Sequence, residues 1–278
     1  MAWVGQSYYR FCSTRWGHQA MGWAVRRLRQ VGLIREFRLC WGALELDHDA
    51  VQGLMRLWQR IHWSSADGMM PPAELRTVYA LAATWPGTGV TVELGSWRGL
   101  TTCYLATACR IRDSGRVFAV DTFEGTREGG ARYPSVAKHD GSTLGAFNDQ
   151  IRRAGVMDLV TPLVGYTHDV VNRFDGGPIR FLLVDADHSY EGVRRDFRLW
   201  SPLVEPGGLI VFHDYLMPEV ARFVDDEVRT DERFAVVQQH RVDNIVAVRK
   251  RPDTEVQADC ATARKAPAAG RRSEVVVA

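Results

Sequence analysis

Several absences narrow this 278-residue sequence before any motif is read. It holds five cysteines (Cys12, Cys40, Cys103, Cys109 and Cys260), an odd number without the paired spacing of a zinc site. Cys103 and Cys109 are six residues apart, on different faces of any helix carrying both. Reduced thiols in or near a core are therefore expected, as suits a cytoplasmic protein. No uninterrupted apolar run is long enough to span a bilayer, and the opening Met-Ala-Trp-Val-Gly-Gln-Ser lacks a basic leader followed by an apolar core. A dominant charge is missing too. Lys and Arg number 35 against 33 Asp and Glu, a net of +2, which argues against a chain built to neutralise a nucleic-acid backbone. What is present, 46% hydrophobic residues, can bury one catalytic domain with appendages.

The organising stretch is Val90-Thr91-Val92-Glu93-Leu94-Gly95-Ser96-Trp97-Arg98-Gly99, which reads as strand, glycine turn and helix start. Such a unit opens a doubly wound sheet, whose ligands bind at the carboxyl ends of its strands. The middle glycine of a dinucleotide fingerprint is absent, and Glu93 stands just before the turn. A carboxylate there repels a pyrophosphate but attracts an ammonium and a sulfonium, which points to S-adenosylmethionine rather than NAD. Arg116–Asp121 is a second strand ending in an acid, placed to accept hydrogen bonds from the ribose hydroxyls of a nucleoside.

Residues 1–67 read as a basic, Trp-rich helical extension. Within residues 1–45, Arg10, Arg15, Arg26, Arg27, Arg29, Arg35 and Arg38 outnumber Glu36 and Glu45, with four tryptophans interleaved. Peripheral contact with an anionic membrane is one reading; packing as a cover over the substrate cleft is preferred. Val51, Leu54, Met55, Trp58 and Ile61 share a helical face, and Pro71-Pro72 opens a helix from about Ala73 to Trp85 with Leu75, Val78, Tyr79 and Ala82 inward. The core domain spans 68–250. Further strands are expected at Val160–Tyr166, Ile179–Asp185 and Leu209–Asp214, the last entered by a tight turn at Pro206-Gly207-Gly208. Helices are expected at Thr101–Arg110, Leu144–Ala154, Tyr190–Leu203 and Pro218–Arg229, and an exposed loop at Thr122–Ser142. Phe234–Arg241 and Asn244–Lys250 lie too close together for anything but an antiparallel hairpin. Residues 251–278 read as a disordered tail.

Taken in order, Val92-Glu93-Leu94-Gly95-Ser96-Trp97-Arg98-Gly99, Val184-Asp185-Ala186-Asp187-His188-Ser189-Tyr190 and Gly207-Gly208-Leu209-Ile210-Val211-Phe212-His213-Asp214 resemble the class I S-adenosylmethionine-dependent methyltransferases. The likeness covers about residues 68–250 and is to the small-molecule O-methyltransferase branch, macrocin-type and distantly catechol-like. It implies an α/β, doubly wound (Rossmann-like) seven-stranded, mostly parallel sheet closed by the C-terminal antiparallel hairpin. It also implies that Glu93, Gly95, Ser96 and Gly99 cradle the methionine part of the cofactor, Asp121 and Thr122 the ribose, and Gly165 and Tyr166 the adenine. Metal-dependent relatives hold a divalent ion, Mg2+ or Mn2+, with an acid after the fourth strand and an acidic or acid-amide pair after the fifth. Asp185 and Asp214 match two of those positions, and His213 replaces the first member of the pair. The implied metal set is Asp185, His213 and Asp214, and the catalytic set is Asp185, His188, His213 and Asp214. Either histidine serves as base if no ion is used. Asp185-Ala186-Asp187-His188 is not the Asn/Asp-Pro-Pro-Tyr motif of enzymes that methylate exocyclic amines, so the expected acceptor is a hydroxyl on a small, glycosylated or secondary metabolite. Two alternatives remain: an NAD(P)-type oxidoreductase, and a non-catalytic protein using its basic N-terminus for membrane or protein contacts. A homo-oligomer stays open.

Overall fold

The computed structural model describes residues 39–41, 44–61, 69–125, 136, 141–240 and 244–257. The basic segment 1–38 with the membrane contact considered for it, most of the loop after Asp121 and the tail beyond 257 lie outside the described residues.

Strands β1 (Leu39–Trp41) and β2 (Leu44–Leu46) pair antiparallel ahead of α1 (His48–Arg60), so the extension is not helical throughout. Asp47 caps α1 by accepting from the Ala50 N–H at 2.9 Å. Helix α2 (Pro72–Thr84) starts on a proline whose missing N–H costs nothing in a first turn. There follow β3 (Val90–Leu94), α3 (Leu100–Arg112), β4 (Val117–Asp121), α4 (Leu144–Ala154), β5 (Val160–Val164) and α5 (Thr167–Val170). The chain continues through β6 (Ile179–Val184), α6 (Tyr190–Trp200), β7 (Val204–Phe212), α7 (Pro218–Phe223), β8 (Phe234–His240) and β9 (Ile245–Lys250).

The main sheet has seven strands in the order β5-β4-β3-β6-β7-β9-β8. All neighbours are parallel except β9, which runs against both β7 and β8. This is the expected doubly wound fold with its reversed closing strand. Its apolar strands alternate between two helical layers. Val117, Ala119, Phe181, Leu183, Leu209 and Val211 join the core under α1 to α4, while Phe118, Val120, Leu182, Val184, Ile210 and Phe212 join the core under α6 and α7. The chain leaves β3 in opposite directions toward β4 and β6, and that switch point opens a crevice. Helix α1 lies outside α3, with Trp58 Nε1 donating to the Tyr104 hydroxyl at 2.9 Å. Gly53 makes that approach possible, because a Cβ there would come within 2.5 Å of Ile111.

Three local expectations need correction. Pro206-Gly207-Gly208 is not a turn ahead of the strand but part of β7, which begins at Val204 opposite Ile179 and shifts register before Phe181. The loop after Asp121 is not wholly exposed: Phe123 is buried and packs edge-on against Phe147 with ring centroids 5.1 Å apart. Residues 253–257 form a helical turn tied back by Arg249 to Glu255 at 2.8 Å, so order extends past 251. Among the described residues, no helix is long and apolar enough to cross a membrane.

Candidate active site

The turn after β3 has three residues at positive φ: Gly95 (+89°), Trp97 (+48°) and Gly99 (+80°). Both glycines have a packing reason for lacking a side chain. A Cβ on Gly95 would lie 2.0 Å from the Asp185 carbonyl oxygen, and one on Gly99 would lie 2.8 Å from the Phe147 ring. The first permits β3 and β6 to close up at their ends; the second lets α4 lie against the turn.

Glu93 is not on the open side of this crevice. The alternation that sends Val92 and Leu94 into one core turns Glu93 into the other, under α3, where it is fully buried and accepts a hydrogen bond from the Thr102 hydroxyl. Glu93 Oε1 and the Ser96 hydroxyl are buried without a well-formed hydrogen bond. Burial pushes the Glu93 carboxyl up to about 8, with Asp185 and Asp121 adding repulsion and Thr102 and Ser96 opposing it. Because this pKa lies above the ordinary 4.5, the stability the group contributes is full below about 4.5 and lost as pH rises through 8. Glu93→Gln is therefore expected to match wild type near pH 4 and exceed it by about 2–4 kcal/mol at pH 9. Denaturant melts across that range check this; a gap that does not change with pH contradicts it.

Asp121 ties two loops together. Its Oδ2 accepts from Trp97 N–H and its Oδ1 from Phe123 N–H, each at 2.6 Å. Burial raises its pKa, and these backbone donors oppose the rise. The half-buried carboxylate keeps lone pairs for a ligand, since each oxygen has two. Beside it the Thr122 hydroxyl accepts from Glu124 N–H at 3.2 Å. Gly165 N–H donates to the Asp121 carbonyl at 2.9 Å, which brings the expected ribose and adenine positions next to each other. Tyr166 is exposed and stacks on His168 at 5.4 Å. Asp121→Asn puts an amide N–H against one of two backbone donors. It is expected to lower both stability and S-adenosylhomocysteine affinity, the latter by about 1–3 kcal/mol. Calorimetry on the folded variant checks this, and unchanged affinity overturns the assignment.

The polar centre lies at the ends of β6 and β7. Asp185 follows β6, and its N–H donates to the Leu94 carbonyl at 2.9 Å; His213 and Asp214 follow β7. Parallel pairing of the two strands puts their terminal side chains side by side. His213 Nδ1 lies 2.9 Å from Asp185 Oδ1 and 3.2 Å from Asp214 Oδ2. Its Nε2 faces Glu74 Oε2 at 2.5 Å. His188, in the turn after β6, places Nε2 3.1 Å from Asp214 Oδ2 and 3.6 Å from Asp185 Oδ1. Burial works against charge on His213, but Asp185, Asp214 and Glu74 together raise its pKa to about 12. Burial would raise Asp185 and Asp214, yet the two histidines hold both below the ordinary carboxylate value. Asp214 has φ +55°, held there while its Oδ1 accepts from Asn244 Nδ2 at 2.7 Å.

All four expected catalytic residues therefore meet. Among the described residues, the donor atoms of Asp185, His188 and Asp214 all lie within 4.8 Å of one another, a group that contains His188 and not the expected His213. Two participants escaped the sequence reading. Glu74 is in the first turn of α2, where an acid reads as a complement to the helix dipole. Asn244, at φ +60°, reads as a hairpin residue until its side chain is seen to accept from Leu216 N–H and donate to Asp214.

Residues 92–215 match the sequence model of a family described as a methyltransferase domain. Several solved structures share the fold. The O-methyltransferase NovP is 20% identical with a TM-score of 0.54, the match covering 66% of this chain and 82% of NovP. A protein from Corynebacterium glutamicum is 16% identical with a TM-score of 0.52, covering 83% of this chain and 98% of its own. An O-methyltransferase from Bacillus cereus, solved in complex with SAH, is 17% identical with a TM-score of 0.50, covering 74% and 92%.

Proposed function

Starting from the methyltransferase domain that this chain carries over residues 92–215, we propose that it transfers the methyl group of S-adenosylmethionine to a hydroxyl oxygen of a small molecule. The observation that carries the reading is the charge of the crevice. Asp121 and Asp185 come from two different strand ends and repel each other, and both act with burial to hold the Glu93 carboxyl up at about 8, protonated near neutral pH. A ligand bearing an ammonium and a sulfonium relieves that repulsion, whereas a pyrophosphate aggravates it, which also disfavours the dinucleotide alternative.

In this reading the Gly95–Gly99 turn receives the methionine part with the Ser96 hydroxyl, the N–H groups of Gly95, Trp97 and Gly99 being already given to Val120, Asp121 and Ser96. Asp121 with Thr122 holds the ribose, and Gly165 with Tyr166 lines the adenine. Glu93 lies beneath the turn, held by the Thr102 hydroxyl rather than by the ligand. Asp185, His188 and Asp214 suit a divalent ion, their donor atoms lying within 4.8 Å of one another and their carboxylates and imidazole being ordinary ligands for one. Such an ion supplies Lewis acidity that lowers the acceptor hydroxyl's pKa. Without an ion, His188 is the proton acceptor. Its side chain keeps 14% exposure, while both ring nitrogens of His213 face carboxylates. Leu216 and Met217, exposed just beyond Asp214, offer apolar surface to the rest of the acceptor. Residues 1–67 as a cover on that side, and cytoplasmic residence, belong to the same proposal.

The test is incubation with methyl-labelled S-adenosylmethionine and a panel of hydroxylated metabolites, with and without chelator. Label recovered as an O-methyl ether supports the proposal. Label recovered on nitrogen or in nucleic acid contradicts it.

A further inference from the structure

We infer that Asp196, buried in α6, is a positioning residue that holds the adenine edge of the cofactor site through the Thr167 hydroxyl. The inference rests on the proposed cofactor reading, which sets adenine beside Gly165 and Tyr166, and it adds a side chain from a helix that reading does not use. The segment Gly165-Tyr166-Thr167 is pinned at both ends. Gly165 N–H donates to the Asp121 carbonyl at 2.9 Å, and the Thr167 hydroxyl donates to Asp196 Oδ1. One turn further along α6, the buried Trp200 indole donates to the Thr167 carbonyl at 3.3 Å. Tyr166 stands exposed between these anchors and stacks on His168 of the same segment, so the anchors set where its ring lies.

Asp196 is 1% exposed, and its Oδ2 is buried without a hydrogen-bond partner. Burying a carboxylate with one oxygen unpaired works against folding, and an apolar side chain of similar size would fill the place without that cost. Stability given up in this way marks a position that serves a site rather than the fold. Burial raises the Asp196 carboxyl to about 6, Asp187 adding to the rise and Thr167 and Arg195 opposing it. The other charged groups around α6 are engaged elsewhere. Glu227 meets Tyr190, Arg194 and Arg198, Glu191 meets Arg194, and Glu219 accepts from the Tyr190 N–H. On α5, His168 Nε2 lies 3.9 Å from Asp169 Oδ1, and on β6 Arg180 donates to the Ala82 and Trp85 carbonyls under α2. An ionised carboxylate accepts more strongly than a neutral acid, so the hold on Thr167 tightens as pH rises through 6 and relaxes as it falls.

The experiment titrates the full chain with S-adenosylhomocysteine by calorimetry between pH 5 and pH 8, with thermal melts of each protein alongside. Asp196→Leu and Thr167→Val each remove one end of the bond and are expected to weaken binding by about 3- to 10-fold at pH 8. The double variant is expected to lose no more than either single one, because both act on one contact. Asp196→Leu is expected to be no less stable than wild type at pH 8, where the buried carboxylate is ionised; a residue that only held the fold together would lose stability and leave the affinity of the folded protein unchanged. Asp196→Asn keeps an acceptor for Thr167 and is expected to restore most of the affinity. Wild type is expected to weaken by about 3-fold as pH falls through 6, and Asp196→Asn to lack that step. Wild-type affinity in folded Asp196→Leu or Thr167→Val, additive losses in the double variant, or the same pH step in Asp196→Asn overturns the inference and leaves the cofactor reading standing. Folded wild type that binds no S-adenosylhomocysteine overturns the cofactor reading and this inference with it.

Discussion

Gly95→Ala is expected to be the most damaging glycine-to-alanine change among the described residues. At φ +89° an L side chain costs about 1–2 kcal/mol, and the new Cβ must displace the Asp185 carbonyl from 2.0 Å away. That oxygen is backbone at the end of a central strand and cannot swing aside, so overpacking adds about 1–3 kcal/mol. The combined loss is expected to be about 2–5 kcal/mol in denaturant unfolding. Any protein that still folds should lose cofactor binding, because separating the ends of β3 and β6 opens the crevice. Gly145→Ala is the control: it lies in α4 with nothing within 4 Å of its would-be Cβ, and should gain up to about 1 kcal/mol. If the two variants prove equally stable, the close approach of β3 and β6 does not matter.

Asp185→Asn is expected to reduce turnover by about 10²-fold or more while the protein still binds S-adenosylhomocysteine. Asp185 Oδ1 is shared by both histidines, so the amide removes the charge that His213 and His188 meet together. Breaking a buried pair by removing one partner usually costs about 3–5 kcal/mol. Asp214 and Glu74 remain beside His213, which places the stability loss at or below the low end of that range. Steady-state rates and unfolding curves of the same preparation separate the two effects. Wild-type turnover in a folded Asp185→Asn protein would falsify the role given to this centre.

The fold was legible because its signals are local. Apolar β-branched runs such as Val90–Leu94 and Ile179–Val184 ended at acids, and the short Phe234–Lys250 interval forced an antiparallel hairpin. Asp185, His188, His213 and Asp214 could be grouped because each follows a strand of one parallel sheet, and parallel order alone brings those ends together. Glu74 could not be found this way, since its partner is 139 residues away and nothing near it in sequence records the contact. The same limit applies to Gly95 and Gly99. Their spacing suggested a ligand cradle, but the atoms that exclude a Cβ belong to Asp185 and Phe147, which only the packed structure puts beside them. Glu93 was placed in the right turn and on the wrong side of it, although the period of two in β3 already separates it from Val92 and Leu94.

The central claim is that the acidic strand-end crevice receives S-adenosylmethionine, and the most direct measurement is a calorimetric titration of the full chain with S-adenosylhomocysteine and, separately, with NAD. One equivalent of S-adenosylhomocysteine is expected to bind, more weakly in Asp121→Asn, with no saturable heat from NAD. No binding of S-adenosylhomocysteine to folded protein, or equal affinity for NAD, would contradict the account.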